Sequence, residues 1–114
     1  MNKYLILSCY TQESDGDHAD PSLNIVGVTD DFNKIREIAE EDLNEFATEY
    51  ADSMDADEDT AEEYINDYVS DAEYRTTLKE EDLEPNVLTL FLTNFFEMSC
   101  DYEDLKYYVV KVEA

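Results

Sequence analysis

Apolar residues recur at two different periods along this chain of 114 residues. Residues 2–10 contain Tyr4-Leu5-Ile6-Leu7-Ser8-Cys9-Tyr10, and residues 22–29 contain Leu23, Ile25, Val26 and Val28. Short runs rich in aromatic and β-branched side chains predict strands. The polar stretch 11–21, which holds Asp, Gly and Pro, predicts the long connection of a hairpin between them. From residue 31 the period lengthens. Phe32, Ile35, Ala39, Leu43, Phe46 and Tyr50 are spaced 3, 4, 4, 3 and 4, which is one buried stripe of a helix over residues 31–51. Thr29, Asp30 and Asp31 supply N-cap chemistry at its start.

After a short acidic connection over residues 52–59, Ala61, Tyr64, Ile65, Tyr68, Val69 and Ala72 repeat the helical pattern. This second helix is expected to begin near Asp59 or Thr60, where Thr60 and Glu63 fit a capping box. Residues 77–84 read as a short helical turn ended by Pro85, 87–96 as a third strand, 100–105 as a turn and 106–113 as a fourth strand. The order β-β-α-α-β-β predicts an α+β fold. Its expected form is a small antiparallel sheet of about four strands with two acidic amphipathic helices packed on one face, in a single domain over residues 1–114.

Charge changes this otherwise ordinary picture. Asp and Glu number 31 against 7 Lys and Arg, for a formal net charge of −24. Between Glu37 and Tyr74 lie sixteen carboxylates and no lysine or arginine. Glu37, Glu41, Glu45, Glu49 and Asp52 fall about one turn apart on the first helix, and like charges at that spacing each cost a few tenths of a kcal/mol. Lys34 and Arg36 sit near the N-terminal end, where the macrodipole disfavours them. Folding alone would not select such a row. A hydrophobic fraction of 43% with nine Tyr and five Phe nevertheless favours a folded chain over a disordered acidic tail. The charge argues against binding free nucleic acid or an anionic membrane, and points to a strongly basic protein surface as partner.

The chemistry-bearing residues are sparse. Cys9 and Cys100 each lie in an apolar stretch and read as buried thiols, two being too few for a disulfide framework. Asp55-x-Asp57-x-Asp59 resembles the start of a calcium loop, but the glycine and the closing glutamate are replaced by Thr60 and Asn66. His18, the single histidine, has Asp15, Asp17 and Asp20 nearby and no second histidine to complete a zinc set. Gly16 and Gly27 are the only glycines, which disfavours a phosphate cradle. No enzyme, cofactor or metal is therefore expected. The apolar run Tyr4 to Leu7 is too short for a secretion signal or a membrane span, so a cytoplasmic protein is expected.

Carboxylates held rigidly on helices present what a nucleic-acid backbone presents, roughly one negative charge per 1.7 Å of duplex. The residues expected to form such a partner-binding face are Glu37, Glu41, Glu45, Glu49, Asp52, Asp55, Asp59, Glu62, Glu63, Asp67 and Asp71. Tyr50, Tyr64 and Tyr74 are candidates to anchor its rim, against a competing reading of Tyr64 and Tyr68 as core. In size, acidity and paucity of bases the chain resembles the phage- and plasmid-encoded DNA-mimic inhibitors, the anti-restriction proteins and small acidic anti-CRISPR proteins. That resemblance implies blockade of the nucleic-acid groove of a host defence nuclease or CRISPR effector, in the host cytoplasm. An acidic immunity protein or antitoxin that neutralises a basic nuclease toxin explains the acidity equally well. The pattern accommodates a homodimer as readily as a monomer.

Overall fold

The computed structural model describes residues 2–14, 17–18, 22–53, 57–70, 78–98 and 101–113. Its strands are β1 (Asn2–Ser14), β2 (Asp17–His18), β3 (Ser22–Thr29), β4 (Thr89–Met98) and β5 (Asp101–Glu113), and its helices are α1 (Ile35–Ser53) and α2 (Glu58–Ser70). The fold is α+β. β1 and β5 are the central pair of an antiparallel sheet, with β3 flanking β1 and β4 flanking β5. β2 adds two residues beside the end of β1. The hairpin of β1 with β3 was expected from the sequence.

Two strands are longer than their apolar content predicts. β1 runs on to Ser14 and β5 begins at Asp101, so the expected loop at 11–14 and the expected turn at 101–105 are strand. The cause is mutual. Asn2 to Ser14 pairs residue for residue with Glu113 to Asp101, and a ladder of backbone hydrogen bonds holds polar residues as well as apolar ones. His18 likewise falls in the short strand β2.

Cross-strand partners assign the sheet two faces. Ile6 faces Val109, Ser8 faces Tyr107 and Tyr10 faces Leu105. This face receives α1, which buries Ile35, Ala39, Leu43, Ala47, Tyr50 and Ala51. Four of these six belong to the expected stripe. Phe32 and Phe46, also expected there, are half-buried and pack at its margin, Phe32 edge-on to Tyr4 at 5.8 Å between ring centroids and Phe46 tilted against Tyr10 at 5.4 Å. Gly27, opposite Ile6, permits the close approach: a Cβ there would stand 2.9 Å from Cγ2 of Ile38 on α1. Phe91 lies at a bulge of β4, where the register shifts between Leu90 and Leu92, and is fully buried in the same core.

The two helices do not share the sheet equally. α1 is the layer that covers β1 and β3, whereas α2 packs chiefly against α1 and meets the sheet at β4. Of the expected α2 stripe, Ala61 is half-buried, while the side chains of Tyr64, Ile65, Tyr68 and Val69 and the whole of Ala72 lie outside the described residues. Among the described residues between α2 and β4, a 3₁₀ turn, Glu80–Asp82, stands within the stretch 77–84 where a short helical turn was expected. Beyond it Asn86 takes a left-handed conformation (φ 63°), tolerated by asparagine, and donates its backbone N–H to Lys111 O at 2.9 Å.

Candidate interaction surface

The start of α1 is built as its sequence suggests. Asp31 Oδ1 accepts from the backbone N–H of Asn33 at 3.0 Å, and Thr29 Oγ1 accepts from that of Asp31 at 3.0 Å. A 3₁₀ turn, Phe32–Lys34, then leads into the α-helix. Once Ile35, Ala39 and Leu43 are committed to the core, helical geometry forces Glu37, Glu41, Glu45, Glu49 and Asp52 to the opposite side, and all five are exposed. Successive members of the i, i+4 row stand about 6 Å apart.

The expected cap of α2 is displaced. Asp57 is the capping residue: its Oδ1 accepts from the backbone N–H of Thr60 at 2.8 Å, so Thr60 lies inside the helix and does not form the capping box. Hydrogen bonding from Thr60 holds the Asp57 carboxyl below its ordinary pKa. On α2, Asp59, Glu62, Glu63 and Asp67 are exposed, as expected. Asp55 and Asp71 lie outside the described residues. Nine of the eleven carboxylates singled out in the sequence are thus placed, every one of them exposed on a helix.

Glu41 and Glu45, one turn apart on α1, share a further feature. With Asp42, Ile38 and Val26 they line a depression of about 130 Å³ where α1 meets β3. Beside it opens a cleft of about 460 Å³ between α1 and β3, whose wall includes Ser8, Ser22, Asn24, Asp42 and Phe46. Asp42 is the acid that reading by composition misplaces. It is half-buried and its Oδ2 accepts a 2.6 Å hydrogen bond from the Tyr107 hydroxyl on β5. Burial, then the hydrogen bond and the negative charge of Asp42, drive the Tyr107 pKa far above the ordinary tyrosine value. The sequence holds a signal for this: Asp42 interrupts a row of apolar residues four apart, Ile38 and Phe46. A second carboxylate, Glu80, accepts from the Tyr4 hydroxyl at 2.7 Å.

The tyrosine rim is corrected at Tyr50, which is 6% exposed and belongs to the core. Its position completes the Leu43, Ala47, Tyr50 stripe, so helical phase turns it inward. Tyr74 and the side chain of Tyr64 lie outside the described residues. Cys9, expected to be buried, is a half-exposed free thiol, and Cys100 lies outside the described residues. Among the described residues no three His, Cys, Asp or Glu side chains converge as a metal site would require. No described helix is long and apolar enough to cross a membrane.

Such a surface can attract cationic groups through its charge. Its carboxylates stand on two consecutive helices without an interspersed base, and residues 37–70 contain no lysine or arginine at all. Compared with known proteins, the chain matches no family model, no curated protein and no solved structure.

Proposed function

We propose that this protein is a DNA-mimic inhibitor that occupies the basic nucleic-acid-binding groove of a host defence nuclease, of the anti-restriction or anti-CRISPR kind. The observation that carries the reading is the uniform exposure of Glu37, Glu41, Glu45, Glu49, Asp52, Asp59, Glu62, Glu63 and Asp67 on α1 and α2. In this reading the outer faces of the two acidic helices work as one surface. With 19 residues, α1 is about 28 Å long, roughly eight base-pair steps of duplex. A groove lined with Lys and Arg gains affinity by neutralising phosphates, and carboxylates fixed on helices satisfy the same cations without a flexible polymer to order. Opposite charge also speeds association, to about 10⁸–10⁹ M⁻¹s⁻¹ at low salt.

The test is affinity capture from host lysate with the protein as bait, eluted along a salt gradient and repeated with duplex DNA as competitor. The reading expects one dominant basic nuclease or nucleic-acid-binding enzyme, released by DNA and by salt. A variant with Glu41, Glu45, Glu62 and Glu63 reversed to lysine should lose it entirely, whereas single reversals change little, since exposed ion pairs contribute about 0–1 kcal/mol each. Capture of the same enzyme by the folded four-fold variant sinks the proposal. A captured toxin whose active site lies away from the contact and which DNA does not displace replaces it with the immunity-protein reading.

A further inference from the structure

The face of the sheet turned away from α1 carries little charge and much apolar surface. Cross-strand pairing places Val28 beside Leu5, Ile25 beside Leu7 and Leu23 beside Cys9 on this face. Leu7 is buried there, but Leu23, Ile25 and Val28 are 55%, 66% and 56% exposed, and Val112 on β5 is 39% exposed. An antiparallel sheet with one solvated face ordinarily alternates apolar-in with polar-out. β3 largely does the reverse, placing Ser22 and Asn24 toward the helix side and Leu23, Ile25 and Val28 outward, while Val26, at the bulge, packs against the core. The shortest dimension of the molecule is 20 Å, the depth of one sheet and one helix layer about 10 Å apart.

We infer that this face is the interface of a homodimer, in which two copies pack sheet on sheet with their helices outermost. Three observations favour a second copy over another occupant. The first is charge. Among the described side chains the open face carries Lys3, Lys106 and Asp104, the last two joined at 3.4 Å. The register adds Glu13 and Glu97 at one end of the sheet, so its charges are few and of both signs, unlike the acidic outer faces of the helices. A chain of net charge −24 can meet its own copy only through such a patch. The second is geometry. With layers about 10 Å apart, the acidic helices of the two copies stand about 30 Å from each other, between three and four Debye lengths of about 8 Å at physiological salt. The third is area. Four strands about 4.8 Å apart and about eight residues long project roughly 500 Å² per copy, so a pair buries about 1,000 Å², at the lower limit for a specific interface.

Sedimentation equilibrium across protein concentrations of about 5–200 µM, the range suited to an interface of that size, tests the inference. The expected mass rises from 13.2 kDa toward twice that value with concentration, and association tightens as NaCl screens the outer helices. Salt thus acts on the dimer in the opposite sense to its effect on an acidic-face partner, so the two proposals fail separately. Ile25→Asp should hold the chain at monomer mass at every concentration. Ile25→Thr, a substitution compatible with a strand, should weaken association at least tenfold with an unchanged circular dichroism spectrum, which covers the case in which the aspartate variant does not fold. Monomer mass throughout overturns the dimer, as does a dimer that survives Ile25→Thr at full strength or weakens with salt. A face that stays monomeric but binds another apolar partner also overturns it.

Discussion

The Tyr107 hydroxyl donates a 2.6 Å hydrogen bond to Oδ2 of Asp42, tying the central strand β5 to the middle of α1. Tyr107 is fully buried and Asp42 half-buried. The contact therefore fixes the rotation of α1 on the sheet, and with it the direction in which Glu41 and Glu45, the neighbours of this pair, present their charge. Replacing Tyr107 by Phe leaves a partly desolvated carboxylate without its donor, and should cost about 1–3 kcal/mol in urea unfolding. In an Asp42→Asn background the same change should cost less. Equal costs in both backgrounds would show that the two side chains are energetically independent.

Alkaline pH should expose the same tie. Burial, with Asp42, raises the pKa of Tyr107 in the folded chain, and burial, with Glu80, raises that of Tyr4. The unfolded chain releases these protons near the ordinary value of 10.0, so above that pH the folded state holds more protons than the unfolded one. Stability from Tyr107 is thus fully present below about pH 10 and should fall by about 1.4 kcal/mol per pH unit above it. Chemical denaturation at a series of alkaline pH values measures this slope, and Tyr107→Phe should flatten it. A slope unaltered by that substitution would assign the alkaline loss to other groups.

Gly27 sets how closely α1 approaches β3. Its substitution by alanine should destabilise by about 1–3 kcal/mol, because the added Cβ meets Cγ2 of Ile38 at 2.9 Å and a β-branched methyl has little freedom to withdraw. In an Ile38→Ala background, where that methyl is gone, Gly27→Ala should cost nearly nothing. Thermal unfolding of the four chains reads the coupling directly.

The acidic row should be a burden to the isolated protein. Reversing Glu41 or Glu45 to lysine replaces i, i+4 repulsions by attractions, and each reversal should stabilise the chain by a few tenths of a kcal/mol. Raising NaCl should likewise raise the melting temperature of the parent chain, by screening its self-repulsion, and should do so less in the four-fold lysine variant. A melting temperature that is indifferent to salt would mean that the charges lie too far apart to repel.

Core truncation provides the contrast. Leu43 is fully buried at the centre of the α1 stripe, and Leu43→Ala should cost about 2–5 kcal/mol in urea unfolding, against near-neutral changes at Glu45 two residues away. A small cost at Leu43 would place the core elsewhere than between α1 and the sheet.

Local periodicity made much of this molecule legible in advance. The 3, 4, 4, 3, 4 spacing from Phe32 to Tyr50 specifies a helix and its inner side whatever it packs against, and the remaining positions, acidic in this chain, must then face outward. Asp31 caps the 3₁₀ turn that leads into α1 through atoms two residues away, and so was also readable. Long-range pairing was not. Whether residues 11–14 and 101–105 are loop or strand depends on β1 and β5 finding each other across nearly the whole chain, a choice made by backbone hydrogen bonds that leave no mark on side-chain polarity. Asp42 and Glu45 are carboxylates three residues apart on the same helix, yet only the arrival of Tyr107 from β5 separates a half-buried acceptor from an exposed surface charge. Leu23, Ile25 and Val28 read as ordinary core residues of a strand. Their exposure was decided by which side of the sheet α1 covers, because a strand shows two apolar faces to its own sequence and tertiary packing fills only one.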